Sequence, residues 1–458
     1  MVENGIGWRR AVPASMIASV LMVSGCAGAG GGGGEVGADG ESRSINVLMV
    51  GNPQMEDIQK LTADSFTKDT GIKVNYTVLP ENELRDKVTQ DVATQAGQYD
   101  VATVGAYEVP IWADNGWLNE TGSFAEADED FDKDDLLAPM VESLSGEDGE
   151  MYGVPFYGES SMLMYRKDIL EAKGITMPER PTWQEVADIA AQVDGAEPGM
   201  KGICLRGLPG WGEVMAPLTT VVNTFGGTWF TQDWEAQVSS PEFTDAVDFY
   251  VTLLKEHGQA GAAQSGFTEC LNALSQGKVA MWYDATSAAG SLEDPAVSKV
   301  AGKIGYAFAP VKETESSGWL WTWAWVMPKT TKKSEEAAEF MLWASSKDYE
   351  QLVGEELGWS RVPAGKRAST YEIPEYKEAS AAFGDITLRS IEEAQPNDPG
   401  VQPRPTVGVQ FVGVPEFADL GTKVSQEISA VIAGDGTVEE ALQKSQVLAE
   451  EVAAKYRE

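Results

Sequence analysis

The sequence predicts an α/β protein built as more than one lobe. Three observations carry this. Short β-rich runs alternate with stretches of helical periodicity, an order that places helices against a largely parallel sheet. The chain has 458 residues, 43% of them hydrophobic, which is more than a single core usually serves. No repeat of about 20–50 residues is visible, which sets aside solenoids and propellers.

The elements follow in order. Residues 45–50 form a β-rich run that Gly51-Asn52-Pro53 ends, and 55–69 has helical periodicity. A strand at 72–79, a helix at 83–96 and a strand at 99–104 complete a βαβαβ unit whose right-handed crossovers imply parallel strands. Ligands of open sheets sit outside the carboxyl ends of the strands, which singles out Asn52, Glu81, Asn82, Tyr107 and Glu108. Further on, helices are expected at 183–193, 215–225, 241–256 and 334–345, and strands at 279–282, 304–309 and 320–327. A helical tail follows.

The N-terminus is of another kind. Arg9 and Arg10 precede an apolar run, 11–23, that is too short to span a bilayer and has the order of an export signal. Val23-Ser24-Gly25-Cys26 closes it, small residues before a cysteine that resemble a bacterial lipobox. Residues 1–25 are therefore expected to be removed and Cys26 to carry lipid. The glycine-rich stretch 26–43 cannot bury a core and reads as a flexible tether.

Composition excludes several function classes. The formal charge is −37, from 71 acidic and 34 basic residues, and such a surface repels nucleic-acid phosphates and anionic headgroups. His257 is the only histidine; it ends a helical pattern before Gly258, where capping is the ordinary role. A histidine relay is disfavoured, a structural zinc site lacks ligands, and no cofactor is expected. Cys204 and Cys270 could pair in an exported protein or could be separate buried side chains.

Fourteen tryptophans stand out. An indole plate covers the C–H face of a sugar or polyol and leaves its hydroxyls free, although core packing is the commoner use of the side chain. Trp319, Trp321, Trp323 and Trp325 share one face of a strand, so some of them must be core. Trp211, between Gly210 and Gly212, and Trp229, after Gly226-Gly227, are the better site candidates. Glu108, Glu159 and Asp284 suit a vicinal diol, since a carboxylate accepts hydrogen bonds from neighbouring hydroxyls. Paired carboxylates beside tryptophan platforms also describe a secreted glycoside hydrolase, and that alternative stays open.

Several longer segments narrow the choice. Gly97-Gln98-Tyr99-Asp100-Val101, Tyr107-Glu108-Val109-Pro110-Ile111-Trp112, Pro155-Phe156-Tyr157-Gly158-Glu159-Ser160-Ser161-Met162, Gly202-Ile203-Cys204-Leu205-Arg206-Gly207, Met281-Trp282-Tyr283-Asp284-Ala285-Thr286 and Gly408-Val409-Gln410-Phe411 resemble the family 1 extracellular solute-binding proteins of carbohydrate ABC importers, their sorbitol/mannitol-binding members in particular. The likeness runs from about residue 45 to the C-terminus.

The resemblance implies a two-lobed, type II periplasmic-binding-protein-like clamp. Residues 44–158 would open the first lobe and 159–284 the second, 285–345 would return to the first, and 346–458 would close the second with C-terminal helices. It implies Glu159 at the hinge, Tyr107 and Glu108 at the cleft mouth, Asp284 on a strand end facing the ligand, Trp211 and Trp321 as flanking aromatics, and Arg85 nearby. It further implies a monomer that binds a small polyol or sugar, meets ABC permease subunits, and touches the membrane only through its lipid. Cys204 sits in the family-like Gly202-Ile203-Cys204-Leu205-Arg206 segment and Cys270, where the family pattern has no cysteine, in an unrelated helix, so the two are expected not to pair.

Overall fold

The computed structural model describes residues 43–457. The expected signal segment, Cys26 and all but the last residue of the expected tether lie outside them.

Nine strands form two sheets among the described residues. They are β1 (Ser44–Val50), β2 (Lys73–Leu79), β3 (Val101–Gly105), β4 (Gly153–Glu159), β5 (Ser161–Arg166), β6 (Lys201–Cys204), β7 (Val279–Ala285), β8 (Ile304–Phe308) and β9 (Trp321–Val326). The first sheet has the order β2-β1-β3-β9-β4 and the second β6-β7-β5-β8. Each is parallel apart from one strand: β9 runs against β3 and β4, and β5 runs against β7 and β8. These reversed strands belong to the crossings. Only Ser160 separates β4 in one sheet from β5 in the other.

The local signals explain the elements that bear on the cleft. β1 stops at Gly51, and Asn52 caps the helix Pro53–Leu61 by accepting a hydrogen bond from the Met55 amide at 3.1 Å. A proline at the first helical position fits there because its missing N–H has no helical acceptor to lose. The expected single helix over 55–69 is instead two, Pro53–Leu61 and Phe66–Thr70. The hydroxyls of Thr62 and Ser65 bond back to the carbonyls of Ile58 and Leu61 in the gap between them. Helix Trp183–Val193 begins on a full capping box of Thr182 and Glu185.

Two expected bounds shift. β8 hydrogen-bonds to β5 of the second sheet, so 285–345 does not return to the first lobe as one block; β9 and the helix after it do. Helices Ser334–Ala344 and Lys347–Leu357 then pack on the first sheet's side, with Phe340 against Phe66 and Trp325 and Tyr349 against Phe156. Arg367, fully buried, donates to the carbonyls of Phe131 and Asp132. The later helices, Phe417–Ala433 and Val438–Ala453, pack against Pro241–His257 of the second lobe.

The expected absence of a disulfide is corrected: Cys204 and Cys270 are bonded, with Cα atoms 5.6 Å apart. The helix Phe267–Ser275 leads into β7 and lies over β6, which is paired to β7 at Cys204 and Trp282. That crossing brings both cysteines to one fully buried spot.

Candidate functional site

A cavity of about 410 Å³ lies between the two sheets at their carboxyl ends. The first sheet contributes Asn52 from the end of β1, Glu81 and Arg85 from helix Glu81–Thr94 after β2, and Trp321 and Trp323 from β9. The crossing contributes Tyr157 and Glu159 from the end of β4, and the second sheet contributes Arg206, Trp211 and Glu213 from the segment after β6. Ser287 follows β7, and Trp319 precedes β9. Asn52, Glu81, Arg85, Glu159, Trp211 and Trp321 are thus brought together as expected positions.

Arg85 organises one wall. Its guanidinium lies 4.1 Å from the centroid of Trp211 and 5.1 Å from those of Trp321 and Trp323, an arrangement in which the positive group meets three negative ring faces. It donates to Glu81 at 2.8 Å and to Glu108. Glu108, expected at the cleft mouth, is a buried anchor behind Arg85 and also accepts from the Gly105 amide at 3.1 Å.

Tyr107 is likewise behind the wall. Its ring packs 4.6 Å from Trp211 and its hydroxyl bonds to the carbonyl of Val414 at 2.9 Å. Trp229 is core: its ring meets Phe243 and Phe417 edge-on and it does not line the cavity. The Gly226-Gly227 turn directs it inward, which the neighbouring glycines alone could not reveal.

Arg206 organises the facing wall. It makes a bidentate pair with Asp284 at 2.8 and 2.5 Å, donates to the Gly212 carbonyl at 2.9 Å and lies 3.5 Å from Glu213. Asp284 accepts further from the Trp282 indole and the Ala285 amide and has no exposed surface. Its expected role facing a ligand is therefore corrected, because its acceptor capacity is spent on Arg206 and its own strand. Arg206, Glu213, Tyr157 and Ser287 were not anticipated as site residues. The available signal for Arg206 was a single charge closing the apolar run Ile203-Cys204-Leu205, since a buried charge requires a partner.

Glu159 differs from Glu81, Glu108, Glu213 and Asp284 in having no ion-pair contact. Its Oε2 accepts from Ser287 Oγ at 2.5 Å. Burial pushes its pKa up to about 8 against the Ser287 hydrogen bond and the charge of Arg206, while Asp284 and Glu81 add to the rise. Burial and then the charge of Glu81 raise Glu213 to about 8 as well.

A group whose folded pKa exceeds its unfolded one holds its proton longer in the native state, so stability is greatest below the unfolded value and is lost as pH rises through the folded value. The melting temperature of the empty protein is thus expected to fall between about pH 5 and about pH 8. Glu159→Gln, which cannot ionise, is expected to remove part of that slope and leave the part due to Glu213. Melting curves across this range check it, and an unchanged slope in the variant refutes the assignment.

The lobes meet across the mouth of the cavity. Asn82 Nδ2 donates to the Pro209 carbonyl at 2.9 Å, and the Gly210-Trp211-Gly212 loop sits on the first turn of helix Glu81–Thr94. On the crossing side, Gln54 donates to the Ser287 carbonyl at 3.1 Å.

Comparison with known proteins agrees with this architecture. The pattern of the family described as bacterial extracellular solute-binding protein matches residues 52–351. A mannitol-binding protein of Pseudomonas aeruginosa is 39% identical over 406 residues, 88% of this chain and 92% of the relative. An erythritol/L-threitol-binding protein of Mycolicibacterium smegmatis is 25% identical over 322 residues, 67% of each chain. The crystal structure of an ABC transporter solute-binding protein from Agrobacterium vitis S4 with bound D-mannitol is 45% identical, with a TM-score of 0.88 over 90% of this chain and 99% of that one.

Proposed function

The chain belongs to the bacterial extracellular solute-binding proteins, and from that premise we propose that its cleft captures a small polyol of the sorbitol, mannitol or arabitol class for delivery to ABC permease subunits. The family is one of binding proteins and not of enzymes, which removes the glycoside hydrolase alternative. One observation supports the polyol reading above the rest. In a cavity of about 410 Å³, Glu159 and Arg206 share the lining with the indoles of Trp211 and Trp321, so one enclosed space offers both hydrogen-bonding groups and platforms for C–H surface.

Glu159 accepts hydroxyl protons and Arg206 donates through the N–H groups that Asp284 leaves free. Binding favours the closed arrangement only to the extent that the ligand binds it more tightly than the open one. The protein acts as a monomer.

A thermal-shift screen over hexitols, pentitols and hexoses tests the reading. Stabilisation by hexitols or pentitols is expected, and stabilisation by hexoses alone would overturn the polyol class. At about pH 9, above the pKa of about 8 at which Glu159 ionises, Glu159→Gln is expected to weaken the best polyol by about ten- to a hundredfold, as for loss of a charge-assisted hydrogen bond. Calorimetry reads this, and unchanged affinity removes Glu159 from the site.

Cys26 is proposed as the lipid-bearing residue of an exported protein, on the strength of the lipobox-like sequence and the glycine-rich stretch after it. Cys26→Ser is expected to move the protein to the soluble fraction with its binding intact. Retention of the variant in the membrane fraction would exclude the anchor.

A further inference from the structure

The charges around the cavity are unbalanced in a way that bears on which polyols can enter. Glu81, Glu159, Glu213 and Glu269 line it with Arg85 and Arg206, and neither lysine nor histidine does. Each guanidinium is already engaged by two carboxyl groups, Arg85 by Glu81 and Glu108, Arg206 by Asp284 and Glu213. Glu159 is 6% exposed and meets only the Ser287 hydroxyl.

Resting on the polyol reading, we propose that the cleft selects by charge, holding neutral polyols and their ammonium-bearing analogues and refusing those that carry a carboxylate or phosphate. An anionic group would find no uncommitted cation. At Arg206 it would reach only the N–H groups that Asp284 leaves free; to take the guanidinium charge for itself it would have to displace Asp284 from a bidentate pair that is wholly buried, leaving that carboxylate without its partner, which is strongly unfavourable. Elsewhere in the cavity it would lie beside Glu81 or Glu269, and like charges in an enclosed, water-poor space repel more strongly than in water.

A hydroxyl faces neither difficulty, since it donates to a carboxylate or accepts from a guanidinium N–H. An ammonium group donates to Glu159 and supplies the cation that this carboxyl lacks. The raised pKa of Glu159 and Glu213 reports the same surplus, because a carboxyl group without enough compensating charge retains its proton.

The test compares one carbon chain with four end groups: D-sorbitol, D-gluconate, the neutral D-gluconamide and 1-amino-1-deoxy-D-sorbitol, by calorimetry at physiological salt, with mannitol and its counterparts run alongside. Gluconate is expected to bind at least tenfold more weakly than gluconamide, and the amine at least as tightly as sorbitol. In Glu159→Gln, checked for a native melting curve, the advantage of the amine is expected to vanish. Gluconate within tenfold of gluconamide, or an amine more than tenfold weaker than sorbitol, overturns charge selection and leaves the polyol reading intact. If no hexitol or pentitol binds, the polyol reading itself falls and this inference with it.

Discussion

Replacing Arg206 with leucine is expected to destabilise the empty protein by about 3–5 kcal/mol and to abolish polyol binding. The stability loss comes from Asp284. That carboxylate has no exposed surface, and without Arg206 it keeps only the Trp282 indole and the Ala285 amide as donors. Breaking a buried pair by removing one partner leaves an uncompensated charge, whereas removing both can be nearly neutral. The double variant Arg206→Leu/Asp284→Leu is therefore expected to recover most of the lost stability while still failing to bind. Chemical denaturation of both variants, with calorimetry for ligand, separates the two effects. Equal destabilisation in single and double variants would mean that Arg206 acts through packing and not through the pair. For the same reason Asp284→Asn is expected to lower the melting temperature, which a residue contacting only ligand would not do.

Asp284 also shows where the sequence stops being informative. Its apolar neighbours Trp282, Tyr283 and Ala285 announce a buried carboxylate, and burial is what the structure has. The partner that neutralises it lies 78 residues away in sequence, and nothing local to β7 points to it. Elements with their own punctuation were readable: Trp183–Val193 because Thr182 and Glu185 form a capping box, and β1 because glycine, asparagine and proline end it.

β4 and β5 carried no such signal. Every residue of β4 and five of the six in β5 are buried, so the alternation that marks a half-exposed strand is missing. They became visible only through their likeness to known hinge segments. The tryptophan run was half legible. Period two placed Trp321, Trp323 and Trp325 on one side of β9, but only the position of β9 between β3 and β4 decides that Trp325 packs on Phe156 and Phe340. Trp321 and Trp323, farther towards the crossing, reach the cavity.

The position with the largest expected effect on affinity without loss of folding is Gly212. A Cβ built there would lie 2.3 Å from Glu81 Oε1 and 2.9 Å from Arg85 Nε, both on the opposite lobe. These atoms cannot swing aside freely, because Glu81 and Arg85 are joined at 2.8 Å and Arg85 is enclosed by three indoles. Gly212 itself does not have a positive φ, so a side chain strains only the contact between lobes and not the backbone of its own loop. Gly212→Val is accordingly expected to leave the open protein folded with near-native melting and to penalise the closed arrangement alone. Apparent affinity scales with the fraction of molecules able to close, so a penalty of about 3 kcal/mol weakens polyol binding by about a hundredfold. Calorimetry with the best polyol, together with small-angle scattering of the variant with and without ligand, reads both consequences. A variant that binds as tightly as the parent and compacts normally on adding ligand would mean that the lobes do not need this contact to close. A variant that fails to fold would show that Gly212 belongs to the interior of its lobe and not to the moving interface.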